Sequence, residues 1–346
     1  MNGGGLMWPI WCSVINEIET CFSISNKTPT KYYESLYAKF GVKAYHDGGH
    51  YGKGTSLYLI DVGLTNSKAK NVHMRHVTGP KKPAAPERPT KANHGAFVAS
   101  IVGLHANESS DGISGICPLA QIYAADVASP NGTIYTSSLI AAIRDAIELS
   151  VDIISISLGT SVYSQPLENT VKEAMARGIL VFAASGNCSC RAYEFPAACD
   201  GAISVASMDL DRNPSPFNTR NDSVAIFAPG HNIEVDGTKL SGTSFAVPFA
   251  SGLAALEISR RKAVPNGPKL ARAEAISVLR STLGLKDSHS YSNDIWSSRG
   301  GGSFKEPSLK DHLSVVLVFN MVTGALALFM FGLSKGRESC SVRKFK

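Results

Sequence analysis

The stretch Val151–Asn187, VDIISISLGTSVYSQPLENTVKEAMARGILVFAASGN, decides the fold. It opens on an apolar run, VDIISISLG, and ends on another, ILVFAASGN. Runs of Val, Ile and Ala without polar alternation read as strands buried on both faces. Between them, LENTVKEAMARG carries its apolar residues at helical spacing and is closed by Gly178. Strand, helix and strand in that order form the repeating unit of a parallel sheet.

The same alternation extends outward. Upstream lie the strand SLYLIDVG from Ser56, the helix HGAFVASIVGL from His94, the strand AQIYAADV and the helix SSLIAAIRDAIEL. Downstream lie the strand AISVASM, a helix from Leu240 and another over Leu270–Leu283. A Pro/Lys-rich loop, GPKKPAAPERPTK, interrupts the series at residues 79–91. The fold class is therefore α/β, a doubly wound and mostly parallel sheet with helices on both faces.

The 346 residues are 44% apolar and 18% charged, the balance of a globular chain. The net charge of +6 is spread out and densest in the last dozen residues, which argues against a nucleic-acid surface. Leu313–Leu333, LSVVLVFNMVTGALALFMFGL, carries no charge and is long enough to cross roughly 30 Å of hydrocarbon. Beyond it Lys335, Arg337, Arg343, Lys344 and Lys346 face only Glu338, so by the positive-inside rule the tail is cytosolic and the body luminal or extracellular. Sequons at Asn26, Asn107, Asn131 and Asn221 fit that orientation, whereas the apolar Leu6–Ile15 is a weak signal peptide. The expected organisation is a leader or extension over 1–30, the α/β domain over 31–284, a polar stalk over 285–312, a transmembrane helix over 313–333 and a basic tail over 334–346.

Polar residues stand where an apolar sheet has no use for them. Asp61 ends the first strand, Asn187 ends VFAASGN, and His94 and Ser244 each open an apolar helical run. Singly, Asp61 reads as a turn residue and His94 or Ser244 as a helix cap. Together they supply a chemistry. A serine hydroxyl needs a base to take its proton, the imidazole needs a carboxylate to orient it, and the resulting oxyanion needs donors.

Asp61, His94 and Ser244, in that order, resemble the catalytic motifs of the subtilisin-like serine proteases. LIDVG resembles the aspartate motif with Val62 where Thr or Ser is usual, and NHGAFVASIVG the histidine motif with Ala96 and Phe97 substituted. LSGTSFAVPFASG is close to the serine motif, with Phe245 and Phe249 in place of the commoner Met and His. The resemblance implies that Asp61 orients His94, that His94 is general base and then acid, that Ser244 forms the acyl-enzyme, and that Asn187 binds the oxyanion. It also implies peptide or protein substrates held between two backbone edges, Gly132–Thr133–Ile134 and Ser157–Leu158–Gly159. The pocket for the residue before the cut would be walled by Ala184, Ser185 and Gly186. Glu194 at its floor would give a preference for Arg or Lys.

No cofactor is required on this reading. Many members of that family bind calcium in the loop after the histidine motif, and here Asn107, Glu108 and Asp111 offer oxygen ligands. HDGGH (His46, Asp47, His50) and HMRH (His73, His76) read as surface loops rather than metal sites, and Arg260–Lys262 as a solvated helix end. The clustered cysteines favour a Cys188–Cys199 or Cys190–Cys199 disulfide in a secreted domain, or free thiols in a reducing one. The contrasting functional class is a membrane-tethered peptide-binding module on the same scaffold, without catalysis. An esterase would need a GxSxG elbow and a different order of the three residues.

Overall fold

The structure is a computed structural model describing residues 9–10 and 29–285, except 65–66, 68, 70, 76, 78–93, 105–114, 130–131 and 236. Seven strands form one parallel sheet in the order β3-β4-β2-β6-β7-β8-β9. They are β2 (Ser56–Asp61), β3 (Val72–Arg75), β4 (Gln121–Asp126), β6 (Ile153–Ile156), β7 (Leu180–Ala184), β8 (Ala202–Met208) and β9 (Val224–Pro229). The expected parallel sheet is thus present.

Two helices, α4 (Thr136–Glu148) and α5 (Gln165–Ala176), cover one face. The other face carries α3 (His94–Gly103), α6 (Thr243–Lys262) and α7 (Arg272–Thr282), with α1 (Pro29–Lys39) and α2 (Val42–Asp47) outside them. Strand periodicity sorts the side chains. In β2, Leu57 and Leu59 enter the core under α3 and α6, whereas Tyr58 and Ile60 enter the core under α4 and α5. All four are inaccessible to solvent, which is why the sequence shows no polar alternation there.

Strand β2 lies between β4 and β6, so the chain winds away from it in opposite directions. In open parallel sheets the carboxyl ends at such a reversal border the ligand crevice. Asp61 is the last residue of β2.

Several local expectations are corrected. Leu240 belongs to β11 (Thr238–Leu240), paired with β10 (Ile233–Val235), and the helix begins only at Thr243. Arg261 is no solvated helix end: it is 9% exposed, and its guanidinium binds Glu257 at 2.7 Å and Glu274 at 2.7 and 2.9 Å, fastening α6 to α7. His46 lies on α2 with Nε2 2.7 Å from the Ile116 carbonyl, and His73 on edge strand β3, so neither is in a loop. The disulfide is Cys188–Cys190, while Cys199 is a buried free thiol in the core under α4 and α5. Exposed Cys188 and Cys190 reach each other, and Cys199 is held below by packing.

Among the described residues no helix is long and apolar enough to cross a membrane, and no group of three or more His, Cys, Asp or Glu is placed to hold a metal. The 313–333 segment, the stalk and tail, and the Asn107, Glu108 and Asp111 calcium set lie outside the described residues. Of the sequons, Asn221 is described, and its side-chain nitrogen, the atom a glycan would need, donates to the Ala192 carbonyl.

Candidate active site

Asp61 is 1% exposed at the end of β2 and accepts the Val62 amide at 2.6 Å. Its Oδ1 also lies 2.7 Å from Nδ1 of His94, the first residue of α3 and 5% exposed. Burial pushes the Asp61 carboxyl above its usual range, opposed by the His94 ring and the Val62 amide. The start of α3 can approach β2 this closely because residue 95 is glycine: its amide donates to the Val62 carbonyl at 2.8 Å, and a Cβ there would lie 2.7 Å from that oxygen.

A second carboxylate, which sequence reading missed, holds the loop after Asp61. Asp126 pairs with Asp61 in the β2–β4 register. It accepts the Gly63 and Leu64 amides at 2.8 and 3.3 Å on one oxygen and the Ala128 amide at 3.1 Å on the other. The signal was available: like Asp61, it is an acid closing an apolar strand.

Ser244 is the second residue of α6 and 2% exposed. Gly242 takes the cap position with no side-chain bond, so the cap reading of Ser244 is set aside. The next residue, Phe245, packs against the His94 ring with centroids 5.1 Å apart, bringing the starts of α3 and α6 together. Asn187 is placed from the same helix: Thr243 donates its amide to Asn187 Oδ1 at 3.0 Å, which leaves the side-chain NH2 as the donor end.

Pro248 sits in the second turn of α6, deeper than a first-turn proline, and its missing N–H leaves the Ser244 carbonyl without a helical donor. Ser157 Oγ supplies the bond at 2.8 Å from a fully buried position. Ser157→Ala is therefore expected to lower stability by about 1–3 kcal/mol, the usual cost of a buried polar group left unpaired. Urea unfolding measures this, and an unchanged midpoint would refute the account.

The remaining residues expected to touch substrate divide into two groups. Leu158, Gly159, Ala184, Gly186 and Glu194 join Thr243 and Ser244 around one cavity of about 10 Å³. That is room for about one water. Ser185 continues the ladder through its amide, 3.0 Å from the Val205 carbonyl. On the other edge only Ile134 is strand, in β5 (Ile134–Tyr135). Gly132 and Thr133 form a turn in which the Thr133 carbonyl accepts from Ser129 N and Oγ at 2.9 and 2.6 Å. Strand β5 pairs antiparallel with β1 (Pro9–Ile10), so a segment of the chain's own N-terminal region lies along it.

Glu194 is part of the wall of this cavity. It is 7% exposed, and burial raises its carboxyl to about 7. Among the described residues no cation or donor meets that carboxylate. Gly186, at φ +104°, allows the fit, because a Cβ there would lie 2.5 Å from Glu194 Cγ.

Sheet topology, the crevice at the end of β2 and the order of the residues around it together define a subtilisin-like α/β protein. Sequence comparison agrees: a family model described as the subtilase family, Peptidase S8, matches residues 38–293, and the chain belongs to that family. It is 32% identical over 227 residues to the thermostable alkaline protease of Halalkalibacterium halodurans, covering 64% of this chain and 61% of that protein. Against subtilisin Savinase of Lederbergia lenta it is 31% identical over 218 residues, covering 62% of this chain and 79% of the other. The chain thus spans less than two thirds of the first relative's length. Among solved structures, a cold-adapted subtilisin-like serine proteinase aligns with TM-score 0.53 at 25% identity, over 67% of this chain and 82% of that one. The patellamide maturation protease PatA aligns with TM-score 0.52 at 26% identity, over 66% of this chain and 85% of that one.

Proposed function

We propose that this protein is a serine endopeptidase acting through Asp61, His94 and Ser244. The observation that carries the reading is the buried 2.7 Å contact between Asp61 and His94, placed against the start of the helix that bears Ser244. Ser244 Oγ attacks the peptide carbonyl carbon while His94 takes its proton. Asp61 holds the ring and stabilises the imidazolium. The oxyanion is met by the Asn187 NH2 and by amides at the start of α6. Collapse of the tetrahedral intermediate returns the proton to the leaving amine and leaves an acyl-serine, which water cleaves by the same steps. Relatives named as alkaline proteases support this chemistry.

Substrates are extended peptide segments laid as an added strand. The pairing of Pro9–Ile10 along Ile134–Tyr135 supports the capacity of that edge to take an added strand. The residue before the cut is Arg or Lys, because a buried carboxylate with no partner among the described residues rewards a cation above any neutral side chain. Entry into so small a cavity requires its lining to move outward, and a cation is the group that stabilises the Glu194 carboxylate there in charged form. The 313–333 segment anchors the protein in a membrane, with the catalytic domain on the luminal or extracellular side.

A fluorophosphonate probe tests the reading: the folded full chain is expected to be labelled, and Ser244→Ala is not. No labelling of the folded wild type would favour a binding module instead.

The Glu194 assignment has its own pH signature. Its carboxyl ionises near pH 7 in the free protein, so a basic side chain gains its partner only above that pH. The ratio of kcat/KM for a peptide with Arg before the cut to that for a matched Ala peptide is expected to rise through about pH 7 and level off above it. Any pH dependence of the chemistry the two peptides share cancels in the ratio. A pH-independent ratio, or a profile led by small residues, would remove Glu194 from the pocket.

A further inference from the structure

Immediately after Asn187 the chain closes a disulfide across one intervening residue, Cys188–Cys190. Both cysteines are exposed. Between them Ser189 adopts φ 55°, a left-handed conformation that a non-glycine residue holds only when its surroundings impose it. Three backbone bonds dock this turn on the neighbouring segment: Thr219 N to Gly186 O at 2.9 Å, Ser189 N to Phe217 O at 2.9 Å and Arg220 N to Cys190 O at 2.8 Å. Cys188 Sγ lies 3.5 Å from Thr219 Oγ1. Asn187 sits between this clasp and its side-chain anchor, the Thr243 amide at 3.0 Å. The disulfide ring therefore fixes the backbone on one side of Asn187, and α6 fixes its side chain on the other.

We infer that the Cys188–Cys190 disulfide is a positioning device for Asn187, and that its reduction by a thiol switches the enzyme down. The inference rests on the proposed oxyanion role of Asn187. A thiolate attacks one exposed sulfur, forming a mixed disulfide and releasing the other cysteine. A second thiol then attacks the sulfur of the first and displaces the cysteine it holds, so two thiols become one disulfide and their two electrons and two protons leave Cys188 and Cys190 as free thiols. Released from the ring, Ser189 relaxes from its left-handed conformation, the clasp on residues 216–220 loosens, and the Asn187 NH2 leaves the place where negative charge develops. Losing one such donor outright costs about 10²–10³ in kcat, so a displaced donor is expected to cost about tenfold or more. The effect falls on kcat, because the interaction is made only in the transition state.

The test uses the full chain in buffers of varied reduced to oxidised glutathione ratio. Alkylation and peptide mass spectrometry score Cys188 and Cys190 in the same samples. As that pair becomes alkylatable, kcat is expected to fall about tenfold or more while KM changes less than about twofold, and reoxidation restores it. Cys188→Ser/Cys190→Ser should start low and no longer respond. In an Asn187→Ala background reduction should cost little more, since the group it displaces is gone. Unchanged kcat on demonstrated reduction, a pair that resists reduction throughout, or a response that survives in the double serine variant each overturns the switch. An Asn187→Ala enzyme with normal kcat would instead overturn the oxyanion reading, and the switch with it.

Discussion

Replacing Ser244 with alanine is expected to lower kcat about a millionfold while leaving the fold intact. The size follows from the removal of the acyl-enzyme route, since in triads of this chain order loss of the nucleophile costs about as much as loss of all three residues. The substitution is sterically mild: Ser244 is buried at the start of α6, makes no cap bond there, and contributes its carbonyl to Ser157 Oγ, which alanine preserves. His94→Ala should be similarly severe, and the double variant little worse than either single one, because the groups act as a unit. Single-turnover assays with unfolding curves on the same samples separate chemistry from folding. A Ser244→Ala enzyme that hydrolyses peptides at an appreciable fraction of the wild-type rate would place the nucleophile elsewhere.

Glu194→Gln is expected to have the next largest effect, in two directions at once. Losing one partner of a desolvated charge pair costs about 2–5 kcal/mol, so the preference for Arg over Ala before the cut should drop by about 30-fold to 4,000-fold. Stability should move the other way. Burial lifts the carboxyl from 4.5 to about 7, so between those values the folded protein keeps a proton that the unfolded chain has released. Stability therefore falls as pH rises from about 4.5 to about 7 and stays lower above that. A neutral glutamine escapes this penalty, which by the pKa difference reaches roughly 3 kcal/mol. The variant should unfold later than wild type at pH 8 and alongside it near pH 4. An unaltered cleavage profile would mean that Glu194 does not meet substrate.

Much of the scaffold was legible because burial leaves a mark on composition. Strands covered on both faces must be largely apolar, and β2, β6, β7 and β8 carry that mark, as does the middle of β4. The edge strand β3, VHMR, is largely exposed and carries no such run, so it was unreadable. Helix α6 was legible as a helix but not in its start, because the capping Gly242 gives no side-chain signal. The pairing of the cysteines was misread, since spacing favours a longer loop whereas packing keeps Cys199 in the core.

By itself the sequence determined five of the seven sheet strands, the helices that pack directly on them, and the order of the four polar residues, because each depends on local periodicity or on a group that an apolar fold would otherwise exclude. Tertiary structure decided how those residues are held: Asp61 against His94, Thr243 on Asn187, Ser157 on the carbonyl orphaned by Pro248, and Glu194 enclosed with no partner among the described residues. The physical reason is distance along the chain. Each of these arrangements joins groups dozens of residues apart, or encloses one with them, and no local propensity encodes which distant atoms a folded backbone brings within hydrogen-bonding reach.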